Sequence, residues 1–70
     1  MTDSKGLREW ISDHGLKLGF IAKELGITTY SLQRKIDNQT EFKASEIAVF
    51  SRIGMSRREI NTYFFANIVE

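Results

Sequence analysis

The chain has no cysteine and only one histidine, His14, in 70 residues. Neither a disulfide nor a thiolate-bound zinc can therefore stabilise it, and one imidazole cannot build a metal site by itself. A chain of this length buries only about 60% of the surface that it exposes when unfolded. Its stability must come from apolar packing, for which a hydrophobic content of 41%, with five Phe, provides one core. We expect one domain over residues 1–70, without a metal or cofactor.

Single glycines divide the chain, which contains no proline. Gly15, Gly26 and Gly54 each follow a segment whose apolar residues recur at helical spacing, as expected where a helix ends. The predicted helices cover the segment from Asp3 or Ser4 to Gly15 and then about 18–25, 29–37, 44–53 and 57–68. This pattern predicts an all-α domain of five short helices joined by tight turns.

Residues 18–37 have the spacing of a helix-turn-helix. Ala22 is small enough for two helices to cross closely, and Gly26, four positions later, can adopt the positive φ of a sharp turn. Ile27 then supplies an apolar residue after the turn, and Leu32 anchors the second helix in the core. These residues predict a helix-turn-helix motif over about 18–37.

Positive charge is concentrated in the same stretch. The formal net charge of the chain is only +1, but residues 17–36 carry four Lys or Arg against one Glu. The segments on either side, 1–16 and 37–70, each have a slight excess of acidic residues. A basic segment that coincides with a helix-turn-helix indicates a surface that meets nucleic acid.

The second helix of such a motif enters the DNA major groove with its N-terminal side chains against the base edges. With Leu32 and Ile36 turned to the core, its outer face carries Gln, Arg and Thr side chains, which can contact adenine, guanine and thymine edges. The predicted base-facing residues are Thr28, Thr29, Tyr30, Gln33 and Arg34, with Asp37 at the margin of the face. The predicted phosphate contacts are Lys17, Lys35, Gln39, Thr40 and Lys43.

Over nearly its whole length the sequence resembles the lambda-repressor-like helix-turn-helix proteins, and among them the small phage Cro-type regulators. The resemblance rests on Ala22, on Gly26 with Ile27, and on four further segments. These are SLQRKID at 31–37, TEFKASEI at 40–47, IGMS at 53–56 and REINTYFF at 58–65. It implies a compact five-helix domain that binds double-stranded operator DNA, usually as a homodimer, in the cytoplasm of a bacterial host.

The sequence departs from that family at three points. Leu18 and Gly19 stand where many relatives have a glutamine that bonds a phosphate, and Asp37-Asn38 replaces a frequent Asn-Gly pair. Lys43 stands where a threonine often caps the fourth helix. Together with the low net charge, these departures leave a second interpretation open. The protein could be an antirepressor, or modulator of repression, that binds a partner phage repressor and has little affinity for DNA.

The last predicted helix, about 57–68, carries more apolar surface than one helix needs to dock. Three of its residues form a stripe at i, i+4 and i+8, and neighbouring aromatic residues widen that stripe. A broad core-facing stripe is one interpretation, and a dimer or partner interface is the other, which we favour. The predicted interface residues are Ile60, Tyr63, Phe64, Phe65 and Ile68.

Catalysis and membrane binding have little support in the sequence. There is no glycine-rich phosphate loop and no paired carboxylates, while Asp13 and His14 point to different faces of their helix. No apolar run approaches the roughly 20 residues that span a bilayer, and no long basic amphipathic helix occurs. We therefore predict a cytoplasmic protein that is not an enzyme, with His14 in a packing or helix-dipole role.

Overall fold

A computed structural model of the chain describes residues 1–65. Over these residues the backbone forms five α-helices and no strand, which confirms the predicted all-α class. The helices are α1 (Ser4–Asp13), α2 (Leu18–Leu25), α3 (Thr29–Ile36), α4 (Ala44–Arg52) and α5 (Arg57–Phe64). The bounds of α2, α3 and α4 agree with the predicted ones to within one residue.

Short polar side chains begin three of the helices. The Asp3 carboxylate accepts an amide hydrogen bond from the first turn of α1 at 3.0 Å, and the Thr28 hydroxyl accepts the Ser31 N–H at 3.0 Å. Ser56 and Glu59 form the predicted capping box, because each side chain accepts the backbone N–H of the other, at 3.1 and 2.9 Å. The backbone hydrogen bond from Ser56 lowers the pKa of Glu59.

Helix α5 is shorter than predicted. It ends at Phe64, because Phe65 has left helical geometry, with φ −126° and ψ 40°. Phe64, the last residue of the helix, is held in the core. The remainder of the predicted helix, 66–68, including Ile68, lies outside the described residues.

An aromatic cluster forms the centre of the core on the α4–α5 side. The Phe50 ring lies 4.9 Å from that of Phe64 and 5.8 Å from that of Phe42, measured between centroids. The Phe42 and Phe64 rings meet edge to face at 5.1 Å. Geometries of this kind contribute about 0.5–1.5 kcal/mol per pair beyond area burial. The cluster keeps α4, α5 and the loop before α4 in one packed body.

The opposite side of the core fixes the inner face of α3. Leu32 and Ile36 have no exposed surface, and both belong to the same buried cluster as Leu7 and Ile21 from the first two helices. Since Leu32 and Ile36 are one turn apart on the same side of α3, the helix cannot rotate about its axis without exposing one of them. The orientation of its outer face therefore follows from the packing of its inner face.

His14 lies at the end of α1 and is exposed. Its ring stacks on Trp10 with 4.1 Å between centroids, and its Nδ1 lies 2.8 Å from the Trp10 carbonyl oxygen. The predicted packing role of His14 thus corresponds to a stacking contact over the indole. Within residues 1–65 no group of three His, Asp or Glu side chains could hold a metal ion.

Candidate nucleic-acid interface

A three-residue turn, 26–28, joins α2 to α3. Gly26 has φ +74°, and the N–H of Ile27 bonds the carbonyl of Ala22 at 3.0 Å, which closes the end of α2. A β-carbon placed on Gly26 would meet nothing within 4 Å, so the glycine is needed for its conformation rather than for space. Ala22 is buried and Ile27 packs against the core, as the sequence predicts.

The outer face of α3 is exposed along its N-terminal part. We call this surface the α3 outer face, and it consists of Thr28, Thr29, Tyr30, Gln33 and Arg34, all of which are exposed. Tyr30 is 72% exposed, so it does not cover the edge of the core. The helix itself, Thr29–Ile36, contains no acidic residue. The predicted base-facing side chains are therefore all accessible to a ligand.

Arg34 is oriented by two neighbours on this surface. Its guanidinium carbon lies 5.9 Å from the centroid of the Tyr30 ring, within the range of a cation–π contact. Its Nε donates a long hydrogen bond of 3.4 Å to Oε1 of Gln39, in the turn after the helix. Neither neighbour neutralises its charge, and among residues 1–65 no carboxylate forms an ion pair with it.

Lys35 does not join this surface, although it is adjacent to Arg34 in the chain. Its ammonium lies 3.2 Å from the Glu46 carboxylate and donates to the Glu41 carbonyl at 3.0 Å, and its side chain is only 12% exposed. The same Glu46 carboxylate accepts the Lys43 N–H at 2.8 Å, at the start of α4. The expectation of an outward Lys35 is corrected: the side chain joins α3 to α4, because a buried carboxylate requires its charge.

The other predicted phosphate contacts lie on exposed parts of the surface. Lys17 precedes α2 and Lys43 precedes α4, and Gln39 and Thr40 occupy the turn after α3. Neither lysine has an ion-pair partner within the described part of the chain. Lys23, in the last turn of α2, is also exposed and unpaired there. The sequence analysis did not select Lys23, although it belongs to the same basic segment.

Phe20 is a second residue that the sequence analysis did not select. It lies on α2 and is 45% exposed, whereas Ile21 and Ala22 beside it are buried. The sequence does contain a signal, because Phe20 falls outside the stripe of Ile21, Ala22 and Leu25. An exposed aromatic side chain on α2 adds apolar surface to the same pair of helices that carries the α3 outer face.

The C-terminal end of α3 is tied to the N-terminal segment of the chain. The side-chain amide of Asn38 donates to the Thr2 carbonyl and accepts the Thr2 N–H, both at 2.8 Å. Asn38 has φ +65°, a conformation that asparagine tolerates better than most residues. Asp37 forms an ion pair with Arg8 at 3.0 Å. The Asp37-Asn38 departure from the family pattern thus has structural partners, and the acid near the outer face is paired.

The predicted interface on α5 is only partly accessible. Phe64 is 4% exposed and lies in the core of its own chain, so its assignment to an interface is corrected. Ile60 and Tyr63 are half-buried and pack against that core. Phe65 is 38% exposed and borders a cleft of about 380 Å³. The cleft is lined by Met1, Thr2, Phe42, Ile47 and Phe65, among others.

No protein-family model, curated protein or solved structure matches the chain. The resemblance to the lambda-repressor-like proteins therefore rests on the residues quoted above. Within residues 1–65 none of the helices is both long and apolar enough to cross a membrane. The features of the molecule that bear on its function are the exposed side chains of α3 and the charges around them that are not already paired within residues 1–65.

Proposed function

We propose that the protein is a small phage-type helix-turn-helix transcription regulator that binds operator DNA through α3, as a homodimer. The observation that carries the proposal is the α3 outer face, a row of exposed hydrogen-bonding side chains without an acidic residue in the helix. The one acid at its margin, Asp37, is paired with Arg8. Such a surface meets the negative potential of DNA without an opposing charge.

The dimensions of α3 suit the DNA major groove. An α-helix with its side chains is about 10–12 Å in diameter, which fits a groove about 12 Å wide, and the eight residues of α3 extend about 12 Å along it. In the proposed complex Gln33 and Arg34 contact base edges, because these side chains form bidentate hydrogen bonds with adenine and guanine. The hydroxyls of Thr28 and Thr29 lie at the N-terminal end of the helix, where side chains of such motifs approach the bases.

Backbone contacts come from the exposed cations around the helix. Lys17, Lys23 and Lys43 are the proposed phosphate ligands, with Gln39 and Thr40 as neutral donors in the turn after α3. Three lysine–phosphate contacts predict that the logarithm of the binding constant falls with the logarithm of the salt concentration with a slope of about −3 per protomer. Since Lys35 is paired with Glu46, it contributes nothing to this slope.

The experiment is a selection from random duplex DNA, followed by fluorescence anisotropy of the selected duplex over a salt series. Gln33→Ala should relax the preference at one base pair, whereas Lys43→Ala should weaken binding to every sequence and reduce the slope by about 1. Arg57→Ala, which removes an exposed arginine of α5, is the matched control and should change neither the base preference nor the salt slope. Equal losses on all sequences for Gln33→Ala and Lys43→Ala would contradict the assigned roles.

A second candidate function is modulation of a repressor by protein contact. It is favoured by one observation, the exposed Phe65 beside the cleft, since exposed aromatic side chains next to a concave surface are typical of protein interfaces. Under this hypothesis Phe65→Glu abolishes binding to the partner repressor while helicity, measured by circular dichroism, is retained. Normal binding of the partner by Phe65→Glu would place the interface elsewhere.

A further inference from the structure

We infer that Tyr30 and Arg34 act as one recognition unit, and that the unit recognises a guanine with a thymine in the adjacent base pair. The inference rests on the proposed function and adds to it the chemistry of two neighbouring bases. It assigns the guanidinium of Arg34 to the guanine edge and the ring of Tyr30 to the thymine methyl group.

The two side chains already form a pair on the exposed surface. They lie one helical turn apart, and the guanidinium carbon of Arg34 is 5.9 Å from the Tyr30 ring centroid. This distance is less than two steps of the DNA helix, at about 3.4 Å each, so the two groups can engage consecutive base pairs. Because Tyr30 is 72% exposed, its ring has no core contact to lose when it meets DNA.

The polar groups of Arg34 are divided between the protein and the solvent. Nε donates to Gln39 at 3.4 Å, whereas within residues 1–65 the two terminal nitrogens have no hydrogen-bond partner. These terminal nitrogens are the donors that a guanidinium offers to O6 and N7 of guanine. A side chain held between a ring and an amide loses less conformational entropy on binding than a free one. Tyr30 and Gln39 are therefore positioning residues for Arg34.

The thymine assignment follows from the chemistry of the tyrosine ring. A base that lies next to the guanine in the major groove meets the Tyr30 ring, and thymine is the natural base that presents a methyl group there. Burial of one methyl group against an apolar surface is worth about a fourfold change in affinity. The phenol hydroxyl has no part in this contact, so Tyr30→Phe should preserve it.

The test uses the full chain and the duplex selected from the random pool. Each guanine is replaced in turn by 7-deazaguanine, which lacks N7, and each thymine by uracil, which lacks the methyl group. We expect one guanine at which 7-deazaguanine weakens wild-type binding by about tenfold, and an adjacent thymine at which uracil weakens it by about fourfold. The tenfold effect should disappear in Arg34→Ala, and the fourfold effect should disappear in Tyr30→Ala but persist in Tyr30→Phe.

Arg57→Ala is the matched control, since it removes an exposed arginine of α5, outside the α3 outer face, and should keep both sensitivities. If the uracil effect persists in Tyr30→Ala, or the 7-deazaguanine effect in Arg34→Ala, the inference is wrong while sequence-specific binding by α3 stands. If the selection enriches no duplex and anisotropy detects no salt-dependent binding, the proposed function fails, and the inference fails with it. Circular dichroism of each variant establishes that the fold is intact.

Discussion

The two ends of α3 are held in different ways. At the N-terminal end, the side chains of Thr29, Tyr30 and Gln33 are exposed and have no polar contact with another helix in the described structure. At the C-terminal end, Lys35 pairs with Glu46, Asp37 with Arg8, and Asn38 with Thr2. One end of the helix is anchored by tertiary contacts, and the other is left available.

A second contrast separates two adjacent side chains of α3, Arg34 and Lys35. Both are cations in the last turn of α3, but Arg34 is exposed and has no ion-pair partner among residues 1–65, whereas Lys35 is 12% exposed and pairs with a buried carboxylate. A binding surface needs side chains that are free to meet a ligand on a backbone that does not move. In α3 the tertiary contacts at the C-terminal end hold the backbone in place, and the exposed side chains of the α3 outer face are free to meet a ligand.

The largest expected effect is a loss of stability when a tertiary contact at the anchored end of α3 is removed. Lys35→Ala leaves the Glu46 carboxylate buried without its partner and should lower the free energy of unfolding by about 2–3 kcal/mol. For a domain of this size that corresponds to a fall in Tm of roughly 10 °C or more. Arg34→Ala, the adjacent exposed cation, should change the free energy of unfolding by less than about 0.5 kcal/mol.

Urea denaturation followed by circular dichroism measures both variants under the same conditions. The contrast between them is the quantity of interest, because it separates an anchoring cation from an available one. Equal destabilisation by Lys35→Ala and Arg34→Ala would remove the distinction between the anchoring and the available side chains of the helix.

A smaller effect is expected at Asn38. Asn38→Ala removes two hydrogen bonds to Thr2 and puts at φ +65° a residue that tolerates the left-handed region less well than asparagine, so it should cost about 2 kcal/mol. Asn38→Gly loses the same hydrogen bonds but accommodates the positive φ, and should cost about 1 kcal/mol. Denaturation midpoints of the two variants give the difference. If glycine were no better than alanine, backbone conformation would not contribute at this site.

The smallest effect on stability is expected for Arg8→Ala. The Arg8–Asp37 pair is about 40–45% exposed on both sides and should contribute less than about 0.5 kcal/mol. Its loss leaves the Asp37 charge unpaired at the margin of the α3 outer face, which should weaken DNA binding at low salt and less at high salt. The double variant Arg8→Ala/Asp37→Asn should recover the lost affinity. Failure to recover would mean that Arg8 contacts DNA directly.

Local signals made most of the helix boundaries predictable. Thr28 and Ser56 cap helices by bonds within their own first turn, and Gly26 ends α2 through its own φ, so each can be recognised from neighbouring residues alone. The exposure of Tyr30 and Arg34 follows in the same way, because Leu32 fixes which face of α3 is buried.

Tertiary pairing was not predictable by those means. The partner of Lys35 is Glu46, on another helix, and its pairing depends on how α3 and α4 pack. In the same way, the spacing of Phe64 and Phe65 does not say which ring joins Phe50 in the core and which stays exposed. Both errors in the predicted site come from contacts between different helices, α3 with α4 and α4 with α5.

The central claim is that the available end of α3 is the ligand surface. The most direct test is an NMR titration of the ¹⁵N-labelled protein with the selected duplex. The account predicts that the largest amide shifts occur at Thr29, Tyr30 and Gln33, with small shifts around the cleft at Thr2 and Phe65. Shifts confined to Thr2, Phe65 and the rest of the cleft, with α3 unchanged, would contradict it.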